Sequence, residues 1–292
     1  MDKNEMKWRL AFMGKKKQLK KLAKANIKIL RSGKLKIAKG EKLSLRPFIK
    51  DSIDNTIVSR LNGIISKEDV IVDTEDLRCD TTSNLTDELK TIELTAKVNS
   101  PKTQTVVVSL SKKNAVNAFD FIESNAIGVL MRTSTLASVY AEVRDEWNDL
   151  NKDKNDSFTN VLFIPKVMIF IDLITGKVRK DPIYINFLMV ASPSVDKMKE
   201  EGIEEVTQRD ATMRVIADTL DAAIKCGCKD LILYPYYNKI TQADKTESGT
   251  LWHSITTSQK VIENIDSIIF TFGDENENDF ITFNAAKNTV TV

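Results

Sequence analysis

The sequence predicts an α/β fold in which helices cover both faces of a mixed β-sheet. One observation is a unit of helix, glycine, short turn and apolar strand, formed by residues 209–225, Gly227 and residues 231–234. The same order of helix and strand recurs at 251–261 and 267–272. A strand that follows a helix after a short turn is typical of an α/β crossover, so a sheet with helices packed on it is expected.

The first element in chain order is an amphipathic helix over residues 6–30, which ends at Gly33. Its apolar positions recur every three or four residues between Leu19 and Leu30, as on one face of a helix. The other face carries lysines, including Lys16 and Lys20. These lysines form either a solvated surface or a binding site for an anionic partner, and no other part of the chain is expected to bind nucleic acid.

Strands, loops and helices alternate through the first half of the chain. Residues 35–48 are β-like, residues 49–65 have a helical pattern, and residues 66–95 are polar and loop-rich. The β-branched run at 103–110 predicts a strand, and residues 114–140 predict a loop followed by a helix.

A long hairpin is predicted in the middle of the chain. A polar break at 150–156 precedes two apolar strands at 166–171 and 184–191, which the turn Thr175-Gly176-Lys177 joins. Further on, the acidic run 274–279 is expected to be a solvated turn between two strands. Such a run could also contact a basic patch on a partner or on a second copy of the chain.

The composition indicates a globular protein of the cytoplasm. The 292 residues are 42% hydrophobic and 29% charged, with a formal net charge of +2, so the whole molecule carries no field that would attract nucleic acid or an anionic membrane. Three cysteines and no recognisable leader suggest a reducing compartment. The apolar runs are shorter than the ~20 residues of a membrane-spanning helix, so no membrane association is expected.

Four phrases carry a family resemblance that extends over nearly the whole chain. They are residues 29–34 (ILRSGK), 131–136 (MRTSTL), 163–172 (FIPKVMIFID) and 188–194 (LMVASPS). In order and spacing they resemble the opening segment, the arginine-serine-serine helix and two core strands of the microbial-type poly(ADP-ribose) glycohydrolases. The resemblance implies a macrodomain-like core at 101–292, preceded by an N-terminal helical and β accessory region at 1–100, and the two are expected to form one continuous unit.

The same resemblance locates the family's active site just before the arginine helix. There the family has a run of glycines, which lets backbone N–H groups close around a diphosphate, and then two adjacent glutamates. The glutamates act as general acid and as stabiliser of the oxocarbenium ion. Counted back from Arg132, the glycine run falls on residues 116–118 (Val-Asn-Ala) and the glutamate pair on Ile127 and Gly128. We therefore expect no catalytic residue there; a divergent glycohydrolase would have to use Glu123 or Asp172.

Several polar residues are candidates for contact with a ligand or a partner. The ligand-binding candidates that the resemblance suggests are Asn114, Asn117, Arg132, Ser192 and Asn238. A second phosphate-binding loop of the family falls on residues 235–240, where this chain has no glycine. Tyr236 and Tyr237 in that loop are either packing residues or anchors for a protein partner.

Metal and cofactor chemistry are not expected. Cys226 and Cys228 flank Gly227, and only Cys79 and His253 remain to complete a site of four soft ligands. His253 is the sole histidine, and we interpret it as a surface or half-buried neighbour of Trp252.

Three functions are consistent with these patterns. The first is a catalytically inactive relative of the glycohydrolases that binds a protein partner, and its Lys- and Asn-rich composition suits a phage-encoded inhibitor of a host defence complex. The second is a reader that binds ADP-ribose or a related nucleotide. The third is a divergent ADP-ribosyl glycohydrolase. A homo-oligomer is compatible with each of them.

Overall fold

A seven-stranded mixed sheet organises the chain in a computed structural model. The structure describes residues 3–37, 41–61, 78–82, 104–121, 126–152, 158–172, 176–193, 208–235, 244–272 and 277–287. The strands of this sheet are β3 (Ile57–Arg60), β4 (Arg78–Thr82), β5 (Gln104–Ser111), β6 (Asn160–Ile171), β7 (Val178–Ser192), β8 (Asp230–Leu233) and β9 (Ser267–Thr271). Two further strands, β1 (Lys34–Lys36) and β2 (Lys42–Ser44), form a separate antiparallel hairpin.

The large sheet has a parallel half and an antiparallel half. Its order is β3-β6-β7-β5-β8-β9-β4. Every pair from β7 to β4 is parallel, whereas β6 pairs antiparallel with both β7 and β3. The carboxyl ends of β7, β5, β8, β9 and β4 therefore lie along the same edge of the sheet.

Nine helices lie in the described residues, and those that pack on the large sheet cover both of its faces. They are α1 (Lys3–Ser32), α2 (Arg46–Asp54), α3 (Lys112–Ala115), α4 (Ala126–Thr133), α5 (Leu136–Leu150), α6 (Gln208–Lys225), α7 (Lys245–Thr256), α8 (Gln259–Asn264) and α9 (Glu277–Lys287). Successive strand residues belong to different cores: Val107 packs with α6, α7 and α9, whereas Val106 packs with α3, α4 and α5. This alternation is expected of a strand that is buried on both sides. The predicted α/β fold is confirmed.

A third, smaller core holds the N-terminal helix and hairpin against the sheet. Leu35 and Leu45 pack with Met168 and Phe170 of β6, and Leu22 of α1 joins them. Gly33 ends α1 at a φ of +64°, a left-handed conformation that glycine adopts without a Cβ clash. The predicted helix end at this glycine is confirmed.

Four of the expected elements differ from the structure. The loop-rich stretch expected at 66–95 contains strand β4 (Arg78–Thr82). The β-like stretch at 35–48 is two short strands followed by α2, because Pro47 stands in the first turn of that helix, where its missing N–H costs nothing. The helix expected at 49–65 ends at Asp54 and gives way to β3. The helix expected at 251–261 is divided into α7 and α8 near Thr257.

The expected turn at 274–279 is also wrong over its described part. Residues from Glu277 onward form helix α9, and Asp279 is only 5% exposed. A carboxylate is buried at this position because the ammonium of Lys245 pairs with it.

The first hundred residues contribute to the sheet at both of its ends. β3 is one outer strand and β4 the other. The division at residue 100 stays a prediction. Among the described residues, no helix combines the length and the apolar character needed to cross a bilayer.

Candidate functional site

The site suggested by the topology lies where β5 and β7 end side by side. Ser111, the last residue of β5, is the register partner of Ser192, the last residue of β7. The chain leaves β7 and returns on the other side of β5 as β8. In open α/β sheets, a crevice for ligands forms at such a reversal of strand order, outside the carboxyl ends of the strands.

A short helix and an anchored segment follow β5 at this edge. Asn114 and Asn117 are both exposed, and the Asn117 N–H donates to the Asn114 carbonyl at 3.1 Å. Ala115 is fully buried, and its carbonyl accepts a hydrogen bond from the indole N–H of Trp147 at 3.4 Å. The two asparagine candidates therefore share one exposed turn at the carboxyl edge.

Aromatic contacts anchor the continuation of this segment to the core. The ring of Phe119 lies 3.6 Å from that of Tyr140 at an interplanar angle of 11°, and it meets Phe187 edge-on at 6.0 Å. Burial raises the pKa of the Tyr140 hydroxyl to about 12, so this ring stays neutral at physiological pH. Aromatic contacts of this kind stabilise by about 0.5–1.5 kcal/mol beyond the area they bury.

Arg132 also anchors this segment, through a hydrogen bond to its backbone. It belongs to the last turn of α4, is 2% exposed, and donates from Nη1 to the Phe121 carbonyl at 2.5 Å. Arg132, which the sequence suggested as a ligand contact, therefore binds the protein's own backbone. Ile127, on the first turn of the same helix, is 1% exposed. It packs in the core on the face of the sheet that α3, α4 and α5 cover.

The N-terminal helix caps the arginine helix through Asn26, a residue that is not among the candidates predicted from the sequence. Asn26 is fully buried, and its amide donates to the carbonyls of Met131 at 2.7 Å and Ser134 at 3.2 Å. The Met131 carbonyl lacks the usual helical donor because the Thr135 N–H bonds to Met168 instead. One signal could have revealed this role: an asparagine at helical spacing within the apolar face of α1 requires a buried partner.

Ser192 is a ligand-binding candidate that is buried at the carboxyl edge of the sheet. Its side chain is fully buried, and its hydroxyl has no hydrogen-bond partner in the part of the chain that the structure describes. A buried hydroxyl without a partner costs about 1–3 kcal/mol. Such a cost at the carboxyl edge is consistent with a group that a ligand completes.

The acidic candidates are not brought to this edge. Asp172 follows the last residue of β6 at the opposite end of the β6–β7 hairpin from Ser192, and its carboxylate lies 3.5 Å from the guanidinium of Arg179. Glu123 lies outside the described residues, as do Asn238, Tyr236 and Tyr237. Lys16 and Lys20 are exposed on α1, away from the buried face of that helix.

A buried ion pair lies beyond the end of β8. The Tyr234 hydroxyl donates to Asp279 at 3.1 Å, and Lys245, the first residue of α7, also donates to this carboxylate. These contacts tie the last helix to the strand end. The cluster is not evident from the sequence, because the acidic run that contains Asp279 is typical of a solvated turn.

The cysteines and the histidine have structural surroundings. Burial raises the pKa of the Cys226 thiol to about 12 and also raises the pKa of Cys228, so both stay protonated at neutral pH and are poor metal ligands. Across the described ranges, no group of three or more His, Cys, Asp or Glu side chains is placed to hold a metal ion. His253 is half-buried, and its Nε2 hydrogen-bonds to the Phe283 carbonyl at 3.1 Å.

Comparison with known proteins identifies solved structures that share this architecture. No protein-family model matches the sequence, and no curated protein matches it either. Among solved structures, poly(ADP-ribose) glycohydrolase from Thermomonospora curvata is similar with a TM-score of 0.68 and 15% identity, over 92% of this chain and 99% of that chain. The same enzyme bound to the inhibitor ADP-HPD gives a TM-score of 0.65 at 15% identity, over 92% of this chain and 98% of that chain.

A second organism gives the same result. Poly(ADP-ribose) glycohydrolase from Deinococcus radiodurans, in complex with ADP-ribose, matches with a TM-score of 0.56 and 15% identity, over 74% of this chain and 86% of that chain. The chain therefore has the macrodomain-like fold of the microbial poly(ADP-ribose) glycohydrolases.

Proposed function

We propose that this chain is a catalytically inactive protein with the glycohydrolase fold, which acts by binding a protein partner as a phage-encoded inhibitor of a host defence complex would. The observation that carries the proposal is the burial of Ile127. At the position where the resemblance expects an acid, an aliphatic side chain packs in the core with 1% exposure. An isoleucine supplies neither a proton nor a negative charge, and Gly128 beside it supplies no side chain.

The backbone before Arg132 also argues against phosphate chemistry of the family's kind. Val116, Asn117 and Ala118 each carry a Cβ where the family has glycine, and Ala118 is 8% exposed. Phe119 is stacked on Tyr140, so the segment is fixed by its own side chains. A rigid segment with side chains cannot close around a diphosphate as a glycine run does.

An exposed edge of the sheet supports binding of a protein. On β3, an outer strand of the sheet, Ile57 at the start of the strand is 41% exposed, and Phe158, beside Arg60 at the other end of the strand, is 46% exposed. The guanidinium of Arg60 lies 5.1 Å from the centre of the Phe158 ring. Edge strands with exposed apolar and arginine side chains are frequent docking sites, because partners add both backbone hydrogen bonds and apolar contacts. We call the exposed outer edge of the sheet that carries Ile57, Arg60 and Phe158 the β3 patch.

The test combines capture of partners with a matched variant. The tagged 292-residue chain is expressed in host cells, and the proteins that co-purify are identified by mass spectrometry. We expect a stable complex that Ile57→Asp with Phe158→Ala disrupts and that Ile281→Asp, at a 56% exposed isoleucine on α9, leaves intact. Failure to recover any stoichiometric partner, or equal loss with both variants, would contradict a role for the β3 patch.

A second candidate function is a reader of an ADP-ribose-like nucleotide, and the observation that favours it is the buried, unpaired hydroxyl of Ser192 among the described residues. Titration calorimetry with ADP-ribose tests it. If the nucleotide binds at the carboxyl edge, Ser192→Ala weakens binding by about two- to tenfold, because one neutral hydrogen bond contributes about 0.5–1.5 kcal/mol. Ser258→Ala, which removes another buried and unpaired hydroxyl, leaves it unchanged. Absence of heat with the unmodified chain rejects the reader.

A further inference from the structure

The exposed side of α1 carries an unusual concentration of positive charge. Six lysines between residues 16 and 28 are exposed, and they define what we call the basic face: Lys16, Lys17, Lys20, Lys21, Lys24 and Lys28. Between Glu5 and Glu41 the sequence has no acidic residue. Within the described part of the chain, none of the six makes an ion pair. The net charge of the whole chain is only +2, so this concentration is local.

The opposite side of α1 is fixed to the body of the protein. Ala23 and Asn26 are buried, and the Asn26 amide is bonded to two carbonyls at the end of α4. The turn between β6 and β7 approaches so closely that a Cβ on Gly176 would lie 3.0 Å from Leu22. The basic face is therefore held outward at a defined angle and does not belong to a free helix.

A groove runs along the same surface. It has a volume of about 630 Å³, and the described residues that line it include Lys17, Lys20, Lys21 and Lys24 together with Gln18. Like charges that line one groove repel each other, because nothing within the described residues neutralises them. An anion with many charges that enters the groove relieves that repulsion.

We propose that the basic face binds the phosphate backbone of duplex nucleic acid without regard to sequence. From Lys16 to Lys28 the helix rises about 18 Å, which matches roughly five base pairs of a duplex. Each turn presents at least one ammonium, so several phosphates of one strand are contacted together. Lysine neutralises backbone phosphates and releases their counterions, which gives affinity but no base recognition.

An acidic protein surface fits this face less well than nucleic acid does. The buried centres of protein interfaces are depleted in lysine and rich in tyrosine, tryptophan and arginine. Residues 16–28 contain no aromatic residue and no arginine. This surface is also separate from the β3 patch, so it adds a second binding activity to the proposed function.

Fluorescence anisotropy with a labelled 20-base-pair DNA duplex tests the proposal on the full chain. We expect a Kd in the micromolar range at 50 mM salt and a steep loss of affinity toward 200 mM, as for other non-specific duplex binding. Replacing Lys17, Lys20 and Lys24 together by glutamine weakens binding roughly tenfold or more. It also reduces the slope of log Kd against log salt by about 2.7, because each lost contact removes about 0.9.

A matched control keeps the total change of charge the same. Arg144, Lys152 and Lys229 are exposed and lie on other elements, and replacing these three by glutamine leaves affinity and slope within twofold and about 0.5 of the unmodified chain. Circular dichroism confirms that both triple variants fold. The proposal is overturned if the duplex does not bind, if both triple variants lose affinity equally, or if polyglutamate binds the basic face and the duplex does not.

Discussion

Asn26→Leu is the change that most sharply tests how the N-terminal helix holds the arginine helix. The asparagine amide donates to the carbonyls of Met131 and Ser134 at 2.7 and 3.2 Å in a fully buried position. Leucine has a similar size but no donor. The Met131 carbonyl would be left unpaired, because its usual helical donor, the Thr135 N–H, is engaged with Met168.

The expected cost follows from these two contacts. Leaving a buried carbonyl without its donor costs about 1–3 kcal/mol, and the second, longer bond adds less, so we expect the free energy of unfolding to fall by about 2–4 kcal/mol. Urea denaturation followed by tryptophan fluorescence measures this loss. Lys28→Leu places the same side chain on the exposed side of α1 and should change stability by less than about 0.5 kcal/mol. An Asn26→Leu protein as stable as the Lys28→Leu protein would refute the capping role.

Two further predictions concern α6 and α7. Burial raises the pKa of Asp218 to about 6, so the folded state holds its proton more tightly than the unfolded chain, and this group adds stability as pH falls through 6 toward 4. Asp218→Asn should remove a pH-dependent gain of about 2 kcal/mol. The gain is measured as the change in the free energy of unfolding of each protein between pH 8 and pH 4.5, and equal changes in the two proteins would contradict it. A Cβ on Gly249 would lie 2.9 Å from that of Ala286, so Gly249→Ala should lower the thermal midpoint although alanine favours helix. Adding Ala286→Gly should restore contact between α7 and α9, and a double variant no better than the single one would exclude this clash.

Sequence patterns predict the core of this fold because its elements are marked locally. Apolar residues recur at helical spacing along α6, and Gly227 follows its end with a φ of +69°. Gly176, at a φ of +66°, likewise marks the turn between the two longest strands. Where local signals compete, the sequence misleads: Pro47 follows a β-like stretch yet begins helix α2.

The candidate site is less predictable because its contacts join distant parts of the chain. Asn26 lies 105 residues before Met131, and no local pattern pairs them. Asp279 is a similar case, because the acidic run around it is typical of a solvated turn and only Lys245 and Tyr234 explain its burial. Arg132 was expected to meet a ligand, yet it binds the Phe121 carbonyl. A charged side chain can hydrogen-bond to the protein's own backbone as readily as to a substrate. The sequence does not distinguish these two roles.

Turnover of poly(ADP-ribose) by the pure 292-residue chain distinguishes a catalytically inactive protein from a hydrolase. The polymer is incubated with excess protein, free ADP-ribose is measured by chromatography, and an active microbial glycohydrolase serves as the positive control. With Ile127 in place of an acid, we expect no release above the buffer blank. Repeated turnover that Glu123→Gln abolishes would show that the chain has kept a catalytic carboxylate and would contradict the account.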